Sequence, residues 1–343
     1  MTLKVVMIVS NPFIPHDAQD YRKLGAEFLT KPCQTEDEIV AATGDADFVI
    51  TFRRPLTRRV VGHLKQCKMI YNDGTGFESI DIGAATEYGI CVSYPAGYCT
   101  EEVAEHTMAL ILACARKIVR LDRAVRAGKW SSYEKREIRF QILPPMFSLR
   151  GQTLGLVGFG RIARSLVPRG KGFELRVIAF DPNVPSHVCE ELGVEPVSFE
   201  YLLTNSDFVS VHAAFTPSAR HMLGIEQFKK MKPTAYLINC ARGDFIDEAA
   251  LVTALAQGYI AGAALDVLQG ESMGVDHLLL KFENVIITPH VAYYSEESKL
   301  KLARRPYEEI VRLVNGQWPQ WLLNPEVKEN FRRRWGKILP IQD

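Results

Sequence analysis

Leu156-Val157-Gly158-Phe159-Gly160-Arg161-Ile162-Ala163 is the stretch that decides the fold. The apolar run 153–157 reads as a buried strand, and Gly-x-Gly-x-x-Ala follows it and opens a helix. The first glycine permits a tight turn, and the second lets the backbone approach a pyrophosphate. Ala163 is small enough for close helix–strand packing. Exposed N–H groups at the helix start, on Arg161 and Ile162, then bind phosphate oxygens. The next apolar run, 176–180, ends on Asp181, eighteen residues beyond Ala163. An acid at that place hydrogen-bonds the adenosine ribose and repels a 2′-phosphate. Pro182 and Asn183 offer no cation for such a phosphate, so the motif selects NAD over NADP.

The same rhythm extends outward. Strand-like runs at 208–211, 236–239, 261–266 and 285–288 alternate with helical segments, as in a doubly wound nucleotide-binding domain. Before residue 100, runs at 5–9, 48–51 and 68–71 also alternate with helix-like segments, which implies a second parallel sheet. Asp73-Gly74-Thr75-Gly76 is a glycine-rich turn at a strand's C-terminal end, where open α/β sheets place ligands. Thr100 reads as an N-cap, with Glu101 and Glu102 in the first helical turn. The stretch 103–119 is apolar over most of its circumference, so the helix is expected to be buried on several sides. Residues 129–150 read as an irregular arm, and 295–316 as a further helix. The basic tail Arg332-Arg333-Arg334-Trp335 reads as a solvated, frayed end.

Composition bounds the function. The 343 residues suit two domains, and 41 Lys plus Arg against 40 Asp plus Glu give a formal charge of +1. That balance argues against an extended nucleic-acid surface. Seven Cys without a Cys-x-x-Cys pair write neither a disulfide framework nor a zinc site, so no metal is expected. The longest apolar stretch, 108–115, falls far short of the ~20 residues that span a bilayer. A soluble, cytoplasmic protein is the expectation.

Three ionisable residues follow strands of the second half. Arg242 stands in Asn239-Cys240-Ala241-Arg242-Gly243, Glu271 in the loop after Ala264-Leu265-Asp266-Val267, and His290 in Thr288-Pro289-His290. Each alone has an ordinary structural explanation, since loop ion pairs collect such residues too. Together with Asp247-Glu248-x-Ala250-Leu251 and Gly262-Ala263-Ala264-Leu265-Asp266-Val267, in this order, they resemble the signatures of the D-2-hydroxyacid dehydrogenase family. Gly74-Thr75-Gly76-Phe77 with Ile80-Asp81, and Val103-Ala104-Glu105-His106-Thr107, extend the likeness over roughly 45–315. The run Thr288-Pro289-His290-Val291-Ala292-Tyr293 is most similar to the branch of the C-terminal-binding proteins, where an aromatic follows the His by three.

The resemblance implies two Rossmann-like domains with parallel sheets, one flavodoxin-like and one dinucleotide-binding, separated by an interdomain cleft. It places a discontinuous substrate domain at 1–110 plus 300–343 and an NAD domain at 111–299. It implies NAD(H)-dependent reduction of a small 2-oxo acid, such as glyoxylate, hydroxypyruvate or pyruvate, to a D-2-hydroxy acid. Arg242 would anchor the carboxylate through its guanidinium fork, His290 would donate the proton, and Glu271 would orient it. Backbone N–H groups of Thr75, Gly76 and Phe77 would hold the substrate, with Tyr293 narrowing the pocket. Thr75, Ala213, Cys240, Ala241 and Asp266 would line the nicotinamide half or pyrophosphate of the cofactor, with Gly158, Gly160, Arg161, Ile162 and Asp181 on the adenosine side. His106 is either a further candidate beside the nicotinamide-side phosphate or a buried helical His satisfied by a neighbour. A homodimer through the apolar helix and arm is expected. The alternative is an NAD(H)-gated regulatory binding protein of the co-repressor type with weak dehydrogenase activity. Formate dehydrogenases are disfavoured, because Glu271 stands where they resemble a Gln-plus-His arrangement.

Overall fold

The computed structural model describes residues 2–9, 16–130 and 137–342. Part of the expected arm, residues 131–136 with Tyr133, lies outside the described residues. The chain divides into two compact units. One comprises the residues up to Tyr98 and those from Ser295 onward, and the other is Cys99–Tyr294. The division leaves the helix Thr100–Ala115 whole in the second unit, whereas the boundary read at 110 falls inside it.

The first unit holds five parallel strands: β1 (Leu3–Met7), β2 (Ala26–Thr30), β3 (Phe48–Thr51), β4 (Met69–Asn72) and β5 (Cys91–Ser93). Their order, β2-β1-β3-β4-β5, is the flavodoxin-like arrangement. Apolar side chains cover both faces, as a parallel sheet requires. Val6, Val49 and Ile70 pack on one side and Val5, Ile50 and Tyr71 on the other. The second face is closed by the C-terminal helices Glu296–Val314 and Val327–Trp335, which contribute Ile310, Leu313, Val327 and Phe331. The basic tail is therefore not frayed. Arg334 donates to the carbonyls of Tyr88, Leu64 and Lys65, and its guanidinium lies 4.4 Å from the Trp335 ring centroid.

The second unit holds seven parallel strands: β6 (Thr153–Val157), β7 (Arg176–Phe180), β8 (Glu195–Pro196), β9 (Phe208–Val211), β10 (Tyr236–Asn239), β11 (Gly262–Leu265) and β12 (Val285–Ile287). The order β12-β11-β10-β9-β6-β7-β8 reverses direction between β6 and β9, the switch point of a dinucleotide-binding sheet. Two Rossmann-like α/β domains are thus present. The helix Thr100–Ala115 starts one residue earlier than read: Cys99 is the N-cap, with no side-chain cap bond, and Thr100 is already helical. It also ends before 119, because Lys117 turns left-handed (φ 52) and a new helix, Ile118–Ala124, begins. Its apolar surface is spent inside its own unit, where Ala104, Met108 and Ile111 pack with Leu154, Leu156 and Leu166. Among the described residues no helix is long and apolar enough to cross a membrane.

Candidate active site

The glycine turn is held open by backbone needs. Gly158 has φ +89, and a Cβ there would run into the Ala213 amide and the His212 carbonyl carbon. Strand β6 therefore meets the loop after β9 without a side chain between them, which puts Ala213 at the turn. Gly160 differs: it N-caps the helix Arg161–Gly172 at φ −76, and a Cβ there would meet nothing within 4 Å. Arg161 and Ile162 supply the first N–H groups of that helix, the donors that an α-helix does not bond within itself. Phe159, between the glycines, is fully buried in the core beneath.

Asp181 stands at the C-terminal end of the neighbouring strand β7. Its carboxylate accepts from Phe159 N–H at 2.8 Å and from Asn183 N–H at 2.9 Å, so the acid is fixed at the lip of the glycine turn. An open space over Gly160, the N-terminal end of the helix that follows it and an acid at the next strand tip fit the pyrophosphate and adenosine ribose of NAD. On the other side of the switch point, His212 lies within 2.8 Å of Ser210 Oγ, and burial pushes its imidazole down to about 4. Cys240 packs by Thr107, and burial pushes its thiol up to about 12.

Three turns at the ends of β10, β11 and β12 carry Arg242, Asp266, Glu271 and His290. Asn239, fully buried, closes the first: its amide donates to Arg242 O at 2.8 Å, and its carbonyl accepts from Ala241 N–H at 3.0 Å. Arg242 is half-buried. Asp266, 2% exposed, clamps the last turn. Its carboxylate accepts from the Thr288 hydroxyl at 2.5 Å, Val291 N–H at 3.0 Å and Ala292 N–H at 2.9 Å, while its carbonyl accepts from His290 N–H at 2.8 Å. His106 joins from the long helix, its Nε2 being 3.0 Å from Thr288 Oγ1 and 3.7 Å from Asp266 Oδ1.

Held this way, His290 presents Nδ1 to Glu271 Oε1 at 3.0 Å. Both residues are left-handed, His290 at φ 54 and Glu271 at φ 51, a state rare for side chains of this size. Gly270, at φ 68, makes the bend that brings the carboxylate round. Tyr293 stands edge-on to His290, with ring centroids 6.3 Å apart. Thr75, Gly76 and Phe77 belong to the first unit, in the turn after β4. There Asn72, fully buried, donates to the carbonyls of Gly74 at 2.5 Å and Gly76 at 2.9 Å. Phe52 covers Gly74 so closely that a Cβ would lie 2.7 Å from its ring.

Sequence reasoning missed Asn72 and Asn239, which tie down the two turns, and it saw Asp266 only as a cofactor contact. An Asn just before a glycine-bearing turn is the signal that was available for the first two, because its amide can bond its own backbone nearby.

Comparison with known proteins agrees with this fold. Residues 108–292 match the family described as D-isomer specific 2-hydroxyacid dehydrogenase, NAD binding domain. The glyoxylate reductase of Korarchaeum cryptofilum is 37% identical over 291 residues, 84% of this chain and 86% of that protein. The D-3-phosphoglycerate dehydrogenase of Archaeoglobus fulgidus is 37% identical over 90% of this chain, which spans 57% of that longer protein. The NAD-complexed D-isomer specific 2-hydroxyacid dehydrogenase of Lactobacillus delbrueckii ssp. bulgaricus superposes with a TM-score of 0.75 at 28% identity, over 94% of this chain and all of the other. On this likeness and on the fit of the glycine turn, the chain belongs to the D-isomer specific 2-hydroxyacid dehydrogenases and is an NAD-dependent enzyme.

Proposed function

We propose that the enzyme reduces a small 2-oxo acid to the D-2-hydroxy acid and runs the reverse reaction. His290 is the acid–base, Arg242 the anchor of the substrate carboxylate, and Glu271 the group that orients His290. The observation that carries this reading is the 3.0 Å contact between His290 Nδ1 and Glu271 Oε1. A carboxylate on Nδ1 fixes the tautomer and the orientation of the ring, so the proton to be transferred belongs to Nε2.

NAD(H) supplies or accepts the hydride. The chain's own groups manage charge and proton. As the oxo oxygen gains charge, His290 donates a proton to it, and the Arg242 guanidinium balances the charge while matching the carboxylate bidentately. Backbone N–H groups of Thr75, Gly76 and Phe77 are assigned to the substrate in this reading, and Asn72 keeps their turn in one shape. Tyr293 walls the space for the substrate side chain. That favours two- and three-carbon oxo acids, and glyoxylate is the compound for which the Korarchaeum relative is named. Thr75, Ala213, Cys240, Ala241 and Asp266 take the nicotinamide and pyrophosphate side of the cofactor. The enzyme works as a homodimer in this reading; Trp130 and Phe140, 79% and 69% exposed, are the apolar surface that supports it.

Steady-state kinetics test the proposal. His290→Ala lowers kcat by about a thousandfold while NADH affinity, read by nicotinamide fluorescence, stays within about twofold. Normal turnover in that variant removes His290 from the chemistry. Glyoxylate, hydroxypyruvate and pyruvate with NADH, and D-3-phosphoglycerate with NAD, form the substrate panel. Failure of all four overturns the substrate class.

A further inference from the structure

Glu248 has no part in the chemistry above, yet its carboxylate is committed twice. It opens the helix Glu248–Ala256, whose N-cap, Asp247, accepts from Ala250 N–H at 3.0 Å. A carboxylate in a first helical turn suits the helix dipole. Here, however, the side chain reaches to the loop that carries Glu271. Glu248 Oε1 accepts from Gln269 N–H at 2.6 Å, and Oε2 lies 3.3 Å from His277 Nε2. One carboxylate thus grips the segment on both sides of Glu271.

The same segment is tied at Gln269, whose Nε2 lies 2.5 Å from His221 Nε2, and at Glu271 through His290. Residues 270–272 and 274–276 are exposed, and Val275 is 91% exposed. Gly270 and Gly274 widen its backbone freedom. A single short 3-10 turn, Gln269–Glu271, gives it regular structure. At its start, Gly243, next to Arg242, lies against the Leu268–Gln269 peptide so closely that a Cβ would collide with the Leu268 carbonyl. The Arg242 turn and the Glu271 loop therefore share one contact plane, and Glu248 fastens the loop backbone at one end and His277 at the other.

We infer that Glu248 is a positioning residue of the acid–base pair: by tying Gln269 and His277 to the helix start, it holds the Glu271 carboxylate against His290. This rests on the roles proposed for Glu271 and His290. A displacement of the loop by an ångström is enough to lower turnover by about a hundredfold in a site of this kind.

A double-mutant cycle tests it on the full-length enzyme. Glu248→Ala lowers kcat about 10- to 100-fold while NADH affinity holds within about twofold. Glu248→Gln keeps an oxygen for the Gln269 N–H and restores kcat to within about threefold of the parent. Glu248→Asp keeps the charge at the helix start but withdraws the oxygen from Gln269, so it repeats the alanine loss if Glu248→Ala does not fold. In the Glu271→Gln background, removing Glu248 costs no more than about twofold, because the carboxylate it positions is gone. An equal loss in both backgrounds, or a silent Glu248→Ala in the parent, overturns the inference. Full turnover by Glu271→Gln alone overturns the acid–base reading instead.

Discussion

His212 shows how one residue can belong to the site and to the fold at once. It follows β9, and its neighbour Ala213 abuts Gly158. Burial depresses its imidazole from 6.5 to about 4, so the native ring stays neutral where the unfolded one takes a proton. The stability this protects is fully present above pH ~6.5 and is lost as pH falls towards about 4. The penalty between pH 7.5 and pH 5 is at most about 2 kcal/mol, since the residue as a whole is only partly buried. His212→Asn removes that slope: urea denaturation at the two pH values gives a smaller difference in the variant. An unchanged slope sinks the assignment. The positive φ at His290 and at Glu271 carries the same lesson in backbone terms. Strain of this sort persists only where neighbours over-determine it, and here Asp266 and Glu248 are the neighbours.

Among elements, the two glycines of the β6 turn have separable tasks. Gly158→Ala pushes a Cβ into the Ala213 backbone at φ +89, so it damages the fold itself. Gly160→Ala meets nothing in the free protein at φ −76 and occupies the space over the helix start. The first variant is expected to lower the melting temperature by several degrees, and the second to leave it unchanged while weakening NADH at least about tenfold. Equal melting losses in both remove the distinction. The elements also show what the sequence can display. Strands β6, β7, β9 and β10 are legible to the residue, because central parallel strands are near-continuous apolar runs. Strand β2, with Glu27 exposed, and β8, two residues long, escape, because edge strands bury too little to leave a pattern. The break at Lys117 escapes as well, since no proline or glycine marks it. In the site, Arg242, Glu271 and His290 are legible as types at strand ends. The grip of Glu248 on Gln269 is not, because it joins residues twenty-one apart through a loop without periodicity.

At the scale of the molecule, a charge of +1 says little, because the charges that act are placed singly. What organises the chain is its return: it leaves the first unit after Tyr98 and re-enters at Ser295, so the last residues complete a core begun by the first. Val327, Phe331 and Trp335 are 0%, 0% and 5% exposed and lie in the same cluster as Val5, Phe48 and Tyr71. Asn324 adds polar ties, accepting from Val92 N–H at 2.8 Å and donating to Ile90 O at 3.0 Å, and Trp335 Nε1 donates to Gly89 O at 3.0 Å. Removing three such side chains forfeits about 5–9 kcal/mol of burial alone, comparable with the whole stability of a domain. A chain ending after Gly316 is therefore expected to lose the folded first unit. The second unit, whose glycine turn and Asp181 come wholly from Cys99–Tyr294, keeps its own sheet. Limited proteolysis is the direct measurement: the truncated chain is cut within the first hundred residues, leaves a resistant fragment covering roughly 99–294, and still binds NADH while reducing no oxo acid. Cleavage spread evenly along the chain means instead that the two units unfold as one, and that the tail supports both.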